Sequence, residues 1–204
     1  MNPDSDSPDL KQITVYLASA SPRRRQLLQQ AGVHFQVILP DIDEVVKSKE
    51  SAEEFVMRMA LEKAQAGLAL VIKENRPLAP VLGADTCIVL ENEIIGKPGS
   101  RAEGIRMLTR LAGRSHEVLT GVALVEEENI QQALSRSRVV FVPLSAKEIE
   151  DYWESGEPVG KAGAYAIQGK AGAFVERIEG SYTGIVGLPL NDIVSMIKKT
   201  GARS

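Results

Sequence analysis

An aspartate stands in the middle of an apolar segment of this 204-residue chain. Asp85 lies within Val81–Leu90 (VLGADTCIVL), whose other members predict a strand buried on both faces. A buried ionised carboxylate is costly unless a lysine, a metal or a hydrogen-bonding network compensates its charge. Gly83 and Ala84 are small enough for a ligand to approach the backbone. Asp85 is therefore a candidate for catalysis; the alternative is a strand-end aspartate that caps a turn.

Three arginines, Arg23, Arg24 and Arg25, occupy the first turn of a predicted helix. The helix macrodipole favours negative charge there, by about 0.3 to 1 kcal/mol per residue. A bound anion would resolve this conflict, held by backbone N–H groups, guanidinium groups and the hydroxyls of Ser19 and Ser21. Phosphate is the natural candidate, and the alternative is a set of solvated arginines.

Two lysines are placed where they could meet a negative charge. Lys63 falls on the apolar stripe of a helix that a capping box, Ser51 with Glu54, is predicted to open. It could pair with a buried carboxylate or a phosphate, or its stem could be buried with the ammonium in water. Lys97 precedes Pro98 at a predicted strand end and is either a site residue or an ordinary turn lysine.

Two further segments carry polar groups that suit a nucleotide. Asp41, Asp43 and Glu44 form an acidic loop that could supply oxygen ligands to magnesium or could simply be solvated. The glycine-rich segment 161–172 contains Gln168, whose amide offers both a donor and an acceptor for the edge of a base. The alternative for that segment is a tight turn between strands.

The composition excludes several classes of protein. With 44% hydrophobic and 25% charged residues and a net charge of −3, the chain shows no broad footprint for duplex nucleic acid or a membrane surface. No apolar run approaches the ~20 residues that span a bilayer. The single cysteine, Cys87, excludes an intrachain disulfide, and we expect a cytoplasmic protein. Residues 1–12 are polar and predict a frayed tail rather than a signal peptide.

Other catalytic chemistries fit poorly. The two histidines, His34 and His116, do not form a zinc-ligand spacing, and no nucleophile-elbow motif is present. His116 is expected at a strand edge without a role. Residues 156–161 (GEPVGK) approach a phosphate-loop pattern but are one residue short and lack the following Ser or Thr. We therefore set that motif aside.

Helices and strands mix along the whole chain, without a repeat or a long linker. This order predicts an α/β or α+β sheet with helices on its faces, bent enough to form a cleft. The predicted strands are 13–18, 35–39, 81–90, 117–125, 133–142, 173–178 and 183–186, and the predicted helices are 23–31, 51–72, 100–113, 145–156 and 190–199.

Several short motifs, in order and at compatible separations, resemble the Maf family of nucleotide pyrophosphatases over residues 13–198. The resemblance implies a curved mixed sheet flanked by helices, with two lobes and a central cleft, similar to inosine triphosphate pyrophosphatases. It also implies one domain over 13–204, a divalent cation (magnesium or manganese) and a homodimer. The motifs are LASASPRR (17–24), DE (43–44), EKA (62–64), GADT (83–86), GKP (96–98), AGAYAIQG (162–169) and GSYTGIVGLPL (180–190).

The resemblance also assigns roles in the reaction. Asp85 resembles the general base that deprotonates the attacking water, and with Glu44 it would hold the metal. Lys63 and Lys97 match polar groups around the metal and the triphosphate. The reaction implied is hydrolysis of a nucleoside triphosphate to the monophosphate and pyrophosphate.

Substrate binding is assigned in the same way. Ser19, Arg23 and Arg24 match a loop that grips phosphate, and Arg23, Thr86 and Gln168 match positions that select the base. The AYAIQG segment resembles the branch of the family that prefers dTTP and UTP, with modified pyrimidine triphosphates as further candidates. The alternatives are a 7-methyl-GTP pyrophosphatase of the same family and a nucleotide-binding regulator of cell division without catalytic activity.

Overall fold

The computed structural model describes residues 14–127 and 129–201, so the predicted tail at 1–12 lies outside the described residues. The described strands are β1 (Thr14–Leu17), β2 (His34–Val37), β3 (Val81–Leu90), β4 (Glu93–Ile95), β5 (Ser115–Glu126), β6 (Asn129–Phe141) and β7 (Val175–Glu179). The helices are α1 (Pro22–Gln30), α2 (Ala52–Lys73), α3 (Arg101–Leu111), α4 (Ala146–Glu154), α5 (Tyr182–Val186) and α6 (Leu190–Gly201).

The strands form one seven-stranded mixed sheet in the order β2-β1-β3-β5-β6-β7, with β4 paired to β3. Strand β1 runs parallel to both β2 and β3, whereas β4 is antiparallel to β3 and β7 is antiparallel to β6. Helices flank this sheet, which confirms the predicted mixed α/β class. None of the helices among the described residues is long and apolar enough to cross a membrane.

Local sequence signals set most of the helix starts correctly. Ser21 is the N-cap of α1, and Pro22 lies in the first turn of that helix. Ser51 and Glu54 form the predicted capping box of α2, in which the Ser51 hydroxyl accepts from the Glu54 backbone N–H. The equivalent box, Ser145 with Glu148, opens α4.

One predicted element is of the wrong type. Residues 183–186 were expected to form a strand because Thr, Ile and Val favour strands, but they belong to helix α5. The Ser181 hydroxyl accepts from the Gly184 N–H at 3.0 Å, and the Ser181 carbonyl accepts from the Ile185 N–H at 3.0 Å. These local bonds satisfy the first amides of a helical turn and outweigh the weak strand propensity.

Other differences concern boundaries. Strand β6 begins at Asn129 rather than at 133, and β7 runs from Val175 rather than from 173. The short strand β4 was anticipated only as a strand end. Such errors arise because strand ends depend on pairing with a neighbouring strand, which the local sequence does not specify.

The described residues group into two compact units. The first comprises residues up to Asp85, 121–134 and those from Gly187 onward; the second comprises Thr86–Thr120 and Ser135–Val186. In the first unit, buried side chains of β1, α2 and β3 pack together, among them Tyr16, Val71 and Val81.

A close approach between α2 and β3 in the first unit depends on Gly83. A Cβ added at Gly83 would lie 2.1 Å from the Ala60 carbonyl oxygen and 2.7 Å from the Ala64 backbone nitrogen. Only glycine lets the helix backbone lie this close to the strand. The approach places Lys63, on the same turn of α2, beside Asp85, two residues further along β3.

Candidate active site

The ammonium group of Lys63 lies between two carboxylates. Its Nζ is 2.6 Å from Asp85 Oδ1 and 2.7 Å from Glu44 Oε1. The Lys63 and Asp85 side chains are 10% and 12% exposed, whereas that of Glu44 is 44% exposed. Asp85 thus has the cationic partner that its place in an apolar strand demanded. We call Asp85, Lys63 and Glu44 the carboxylate cluster.

The geometry of the cluster leaves chemistry for Asp85 to perform. A carboxylate offers about four lone-pair sites on its two oxygens, and Lys63 approaches only one of these oxygens. Removing one partner of a buried ion pair costs about 3–5 kcal/mol, because the remaining charge is left uncompensated. Lys63 therefore keeps Asp85 in place, while the carboxylate can still accept a proton or further hydrogen bonds.

The loop that carries Glu44 is fastened to α2 by Arg58. The Arg58 guanidinium donates to the Val45 carbonyl at 2.9 Å, and it pairs with Glu50 at 2.5 Å and with Glu62 at 3.1 Å. The hydrogen bond from Arg58 lowers the pKa of Glu50 to about 2. These contacts give the acidic loop a defined path past Lys63.

The neighbouring acidic residues take no part in the cluster. Asp41 and Asp43, which the sequence offered as cation ligands alongside Glu44, have exposed side chains. Of the three candidate carboxylates in this loop, the structure brings only Glu44 into contact with Lys63.

Arg24 is buried and ties the start of α1 to strand β3. Its Nη1 donates to the Ala84 carbonyl at 2.8 Å and to Ser19 Oγ at 3.1 Å, and its Nε donates to the Gly187 carbonyl at 2.9 Å. Burial lowers the pKa of Arg24, and the negative charge of Asp85 opposes this effect. Arg24 therefore lies close to Asp85 within the first unit.

The other groups at the start of α1 remain suited to an anion. The Ser19 hydroxyl also accepts from the Ser21 N–H at 3.3 Å, so its own proton is directed elsewhere. The Ser21 side chain makes no capping bond within the described structure. Arg23 is partly exposed, and Arg25 donates to the Ala20 carbonyl at 2.7 Å. Arg24 is thus a structural anchor of this helix start, and Arg23 is the more accessible of the two predicted phosphate-binding arginines.

Two side chains of the cluster are carboxylates, the kind of group that binds a magnesium-type cation. No group of three or more His, Cys, Asp or Glu side chains among the described residues could hold a metal ion by itself. Magnesium, however, is commonly bound through one or two carboxylates together with substrate phosphates and water. Asp85 and Glu44, which converge on one ammonium group, match that requirement.

In the second unit, a chain of hydroxyl groups fixes the orientation of Thr86. Thr120 Oγ1 donates to the Gly184 carbonyl at 2.8 Å, and Thr86 Oγ1 lies 2.9 Å from Thr120 Oγ1. A hydroxyl has a single proton, so Thr86 must be the donor in its bond with Thr120. The Thr86 hydroxyl therefore spends its proton on Thr120, and its oxygen can act only as an acceptor towards other groups.

The remaining predicted site residues also belong to the second unit. Lys97 is exposed in the segment after β4, and Gln168 is exposed in the turn 167–169. His116 lies near the start of β5 and is buried, and its Nε2 lies 2.8 Å from the Tyr165 hydroxyl. Burial lowers the pKa of His116 to about 4, so its imidazole is neutral near pH 7.

These features describe a carboxylate cluster beside a cationic helix start, an arrangement suited to a polyanionic substrate. The chain belongs to the Maf family: the family model described as Maf-like protein matches residues 14–200.

Proteins of known name are similar over nearly the whole chain. The dTTP/UTP pyrophosphatase of Alkalilimnicola ehrlichii is 52% identical over 90% of this chain and 91% of its own length. That of Vibrio parahaemolyticus is 48% identical over 93% and 98%, respectively. That of Burkholderia lata is 47% identical over 91% and 92%.

Solved structures give more distant similarities. The Ham1 protein of Staphylococcus aureus matches with a TM-score of 0.43 and 16% identity, over 63% of this chain and 71% of that one. A protein from Vibrio cholerae matches with a TM-score of 0.37 and 14% identity, over 71% and 78%.

Proposed function

We propose that this protein hydrolyses dTTP and UTP, and modified pyrimidine triphosphates of the same shape, to the monophosphate and pyrophosphate. The observation that carries the proposal is the clamping of Asp85 and Glu44 by Lys63. A protein that only senses a nucleotide does not require a buried carboxylate held for proton transfer. Family relatives named dTTP/UTP pyrophosphatase support the choice of substrate.

In the proposed reaction, Asp85 accepts a proton from a water molecule as its oxygen attacks the α-phosphorus. A new oxygen–phosphorus bond forms, the bond from the α-phosphorus to the bridging oxygen breaks, and pyrophosphate leaves with that oxygen. Lys63 holds Asp85 in position for the transfer. Such reactions depend mainly on positioning and charge neutralisation, which these residues are suited to provide.

The negative charge of the triphosphate requires cations. We assign this role to Arg23, to the donors around Ser19 and to Lys97, with Arg24 holding the start of α1 in place. Glu44 and Asp85 would hold magnesium or manganese, and the ion when bound supplies positive charge to the phosphate oxygens.

Base selection is assigned to Thr86 and Gln168, with a contribution from Arg23. The Thr86 hydroxyl donates its proton to Thr120, so towards a base it can act only as an acceptor. Thymine and uracil carry an N–H at ring position 3, whereas cytosine has an acceptor there. This polarity supports a preference for dTTP and UTP over dCTP. A cytoplasmic location and a homodimer stay predictions from the sequence and the family resemblance.

A panel of nucleotides tests the proposal. The purified chain is incubated with dTTP, UTP, dCTP, 7-methyl-GTP and GTP, with magnesium or manganese, and the released phosphate species are identified. We expect pyrophosphate, formed fastest from dTTP and UTP. Faster hydrolysis of 7-methyl-GTP than of dTTP would assign the protein to the 7-methyl-GTP pyrophosphatases of the same family. Tight binding of dTTP with no product would identify a regulator instead.

A further inference from the structure

Residues 156–161, which approach a phosphate-loop pattern, contain a partly buried hydrogen-bond acceptor. Glu157 lies in the turn after α4, and its carboxylate accepts from the Tyr152 hydroxyl at 2.8 Å. It also accepts from the backbone N–H groups of Lys170 at 3.0 Å and Ala171 at 3.3 Å. One carboxylate therefore fixes a later segment of the chain through its backbone.

The Tyr152 hydroxyl completes this arrangement from the other side. It accepts from the Ala166 N–H at 3.2 Å while it donates to Glu157 at 2.8 Å, which uses its single proton consistently. The bonds thus fall on both sides of Gln168, two residues before it and two and three residues after it. Gln168 itself has an exposed side chain.

The packing around Glu157 leaves no space for a side chain at position 169. A Cβ on Gly169 would lie 2.2 Å from Glu157 Oε2. Burial raises the pKa of Glu157, but the bonds from Lys170, Tyr152 and Ala171 outweigh it and hold that pKa below its usual value. The carboxylate is ionised at neutral pH, in the form that accepts these bonds best.

We propose that Glu157 and Tyr152 are positioning residues that present Gln168 to the base and thereby set the discrimination among pyrimidine nucleotides. The inference rests on the proposed function, in which the Gln168 amide contacts the base. An exposed glutamine on an unrestrained turn would occupy many arrangements, and binding is weakened by the fraction of molecules outside the competent one. Hydrogen bonds to the backbone on both sides of Gln168 reduce that loss of binding affinity.

The test compares kcat and KM for dTTP and dCTP in the full chain and its variants. In Glu157→Gln, one carboxylate oxygen becomes an NH2 group that faces backbone donors. In Tyr152→Phe, Ala166 loses its partner. We expect the dTTP-to-dCTP ratio of kcat/KM to fall about tenfold, mainly through a higher KM for dTTP, because a smaller fraction of molecules then holds Gln168 in the competent arrangement. The matched control is Glu154→Gln, which changes an exposed carboxylate that pairs with Arg101.

A double-variant experiment separates a positioning role of Glu157 from a role in the stability of the fold. In a Gln168→Ala chain, Glu157→Gln should change the dTTP-to-dCTP ratio less than about twofold, because the two effects act through the same residue. A lowered thermal midpoint with an unchanged ratio in Glu157→Gln and Tyr152→Phe would overturn the inference. So would an equal loss in both backgrounds. If wild-type protein released no pyrophosphate from dTTP, the proposed function would fail before this comparison began.

Gly169→Ala gives an independent check if Glu157→Gln does not fold. It leaves both positioning side chains in the sequence but forces the Glu157 carboxylate to move. We expect a similar fall in the dTTP-to-dCTP ratio, and an unchanged ratio would contradict the proposal.

Discussion

The carboxylate cluster in the first unit and the turn around Gln168 in the second are held by different means. In the cluster, the side chains proposed to do chemistry bond directly to one another through Lys63. In the turn, the proposed recognition side chain is exposed, and Tyr152 and Glu157 hold its backbone instead.

The difference follows from what each region must do. A general base has to be ionised and fixed within hydrogen-bonding reach of water, so a buried charge with a charged partner is appropriate. A side chain that reads a base has to remain open to its ligand, so the restraint is placed on the backbone. Changes to the cluster should therefore affect the rate of reaction, and changes to the turn should affect the choice of substrate.

Among changes that affect both stability and rate, Lys63→Met is expected to have the largest effect. It leaves the Asp85 carboxylate buried without its ammonium partner, which should lower the free energy of unfolding by about 3–5 kcal/mol. Pyrophosphate release from dTTP should fall about 10²-fold, because the base is no longer held in place. Thermal unfolding and a rate assay measure the two effects separately.

Lys147→Met is the matched control for this change. Lys147 makes an exposed ion pair with Asp151, and the two side chains are 83% and 65% exposed, so little change is expected. If Lys63→Met kept both the stability and the rate of the wild type, the cluster would not be the catalytic centre.

A smaller effect is expected from His116 in the second unit, and it should be confined to stability. The pKa of His116 falls from 6.5 to about 4 on folding, so the unfolded chain binds more protons between these values. Stability should therefore decrease as the pH falls from 6.5 towards 4, by roughly 3 kcal/mol in total, and level off below.

The substitution His116→Gln should flatten this acid-side dependence, because the titrating group is removed. Chemical denaturation between pH 4 and pH 7 measures it. His34→Gln, at an exposed histidine, is the matched control and should leave the slope unchanged. An unaltered slope in His116→Gln would show that other groups cause it.

The residues of the carboxylate cluster could be predicted from the sequence because their signals are local. Asp85 and Lys63 were found because a charge within an apolar pattern is anomalous. The structure shows that these two charged side chains pair with each other. The capping box at Ser51 was found because the spacing of Ser51 and Glu54 has a local physical meaning.

Other features depended on contacts between residues distant in sequence. Glu157 and Tyr152 resemble ordinary turn and helix residues, and their partners lie up to 14 positions away. A different reason applies to helix α5: its residue propensities predicted a strand, but the local hydrogen bonds to Ser181 outweigh them. The burial of Arg24 was also missed, since three arginines in succession gave no indication of which one faces inward.

The central claim is that Asp85 is the proton acceptor, and Asp85→Asn tests it most directly. Asparagine keeps the shape of the side chain but does not accept the proton, and Glu44 remains as a partner for Lys63. We expect the rate of pyrophosphate release from dTTP to fall on the order of 10²-fold or more. Circular dichroism should show that the variant is still folded. A folded Asp85→Asn protein that hydrolyses dTTP at the wild-type rate would contradict the account.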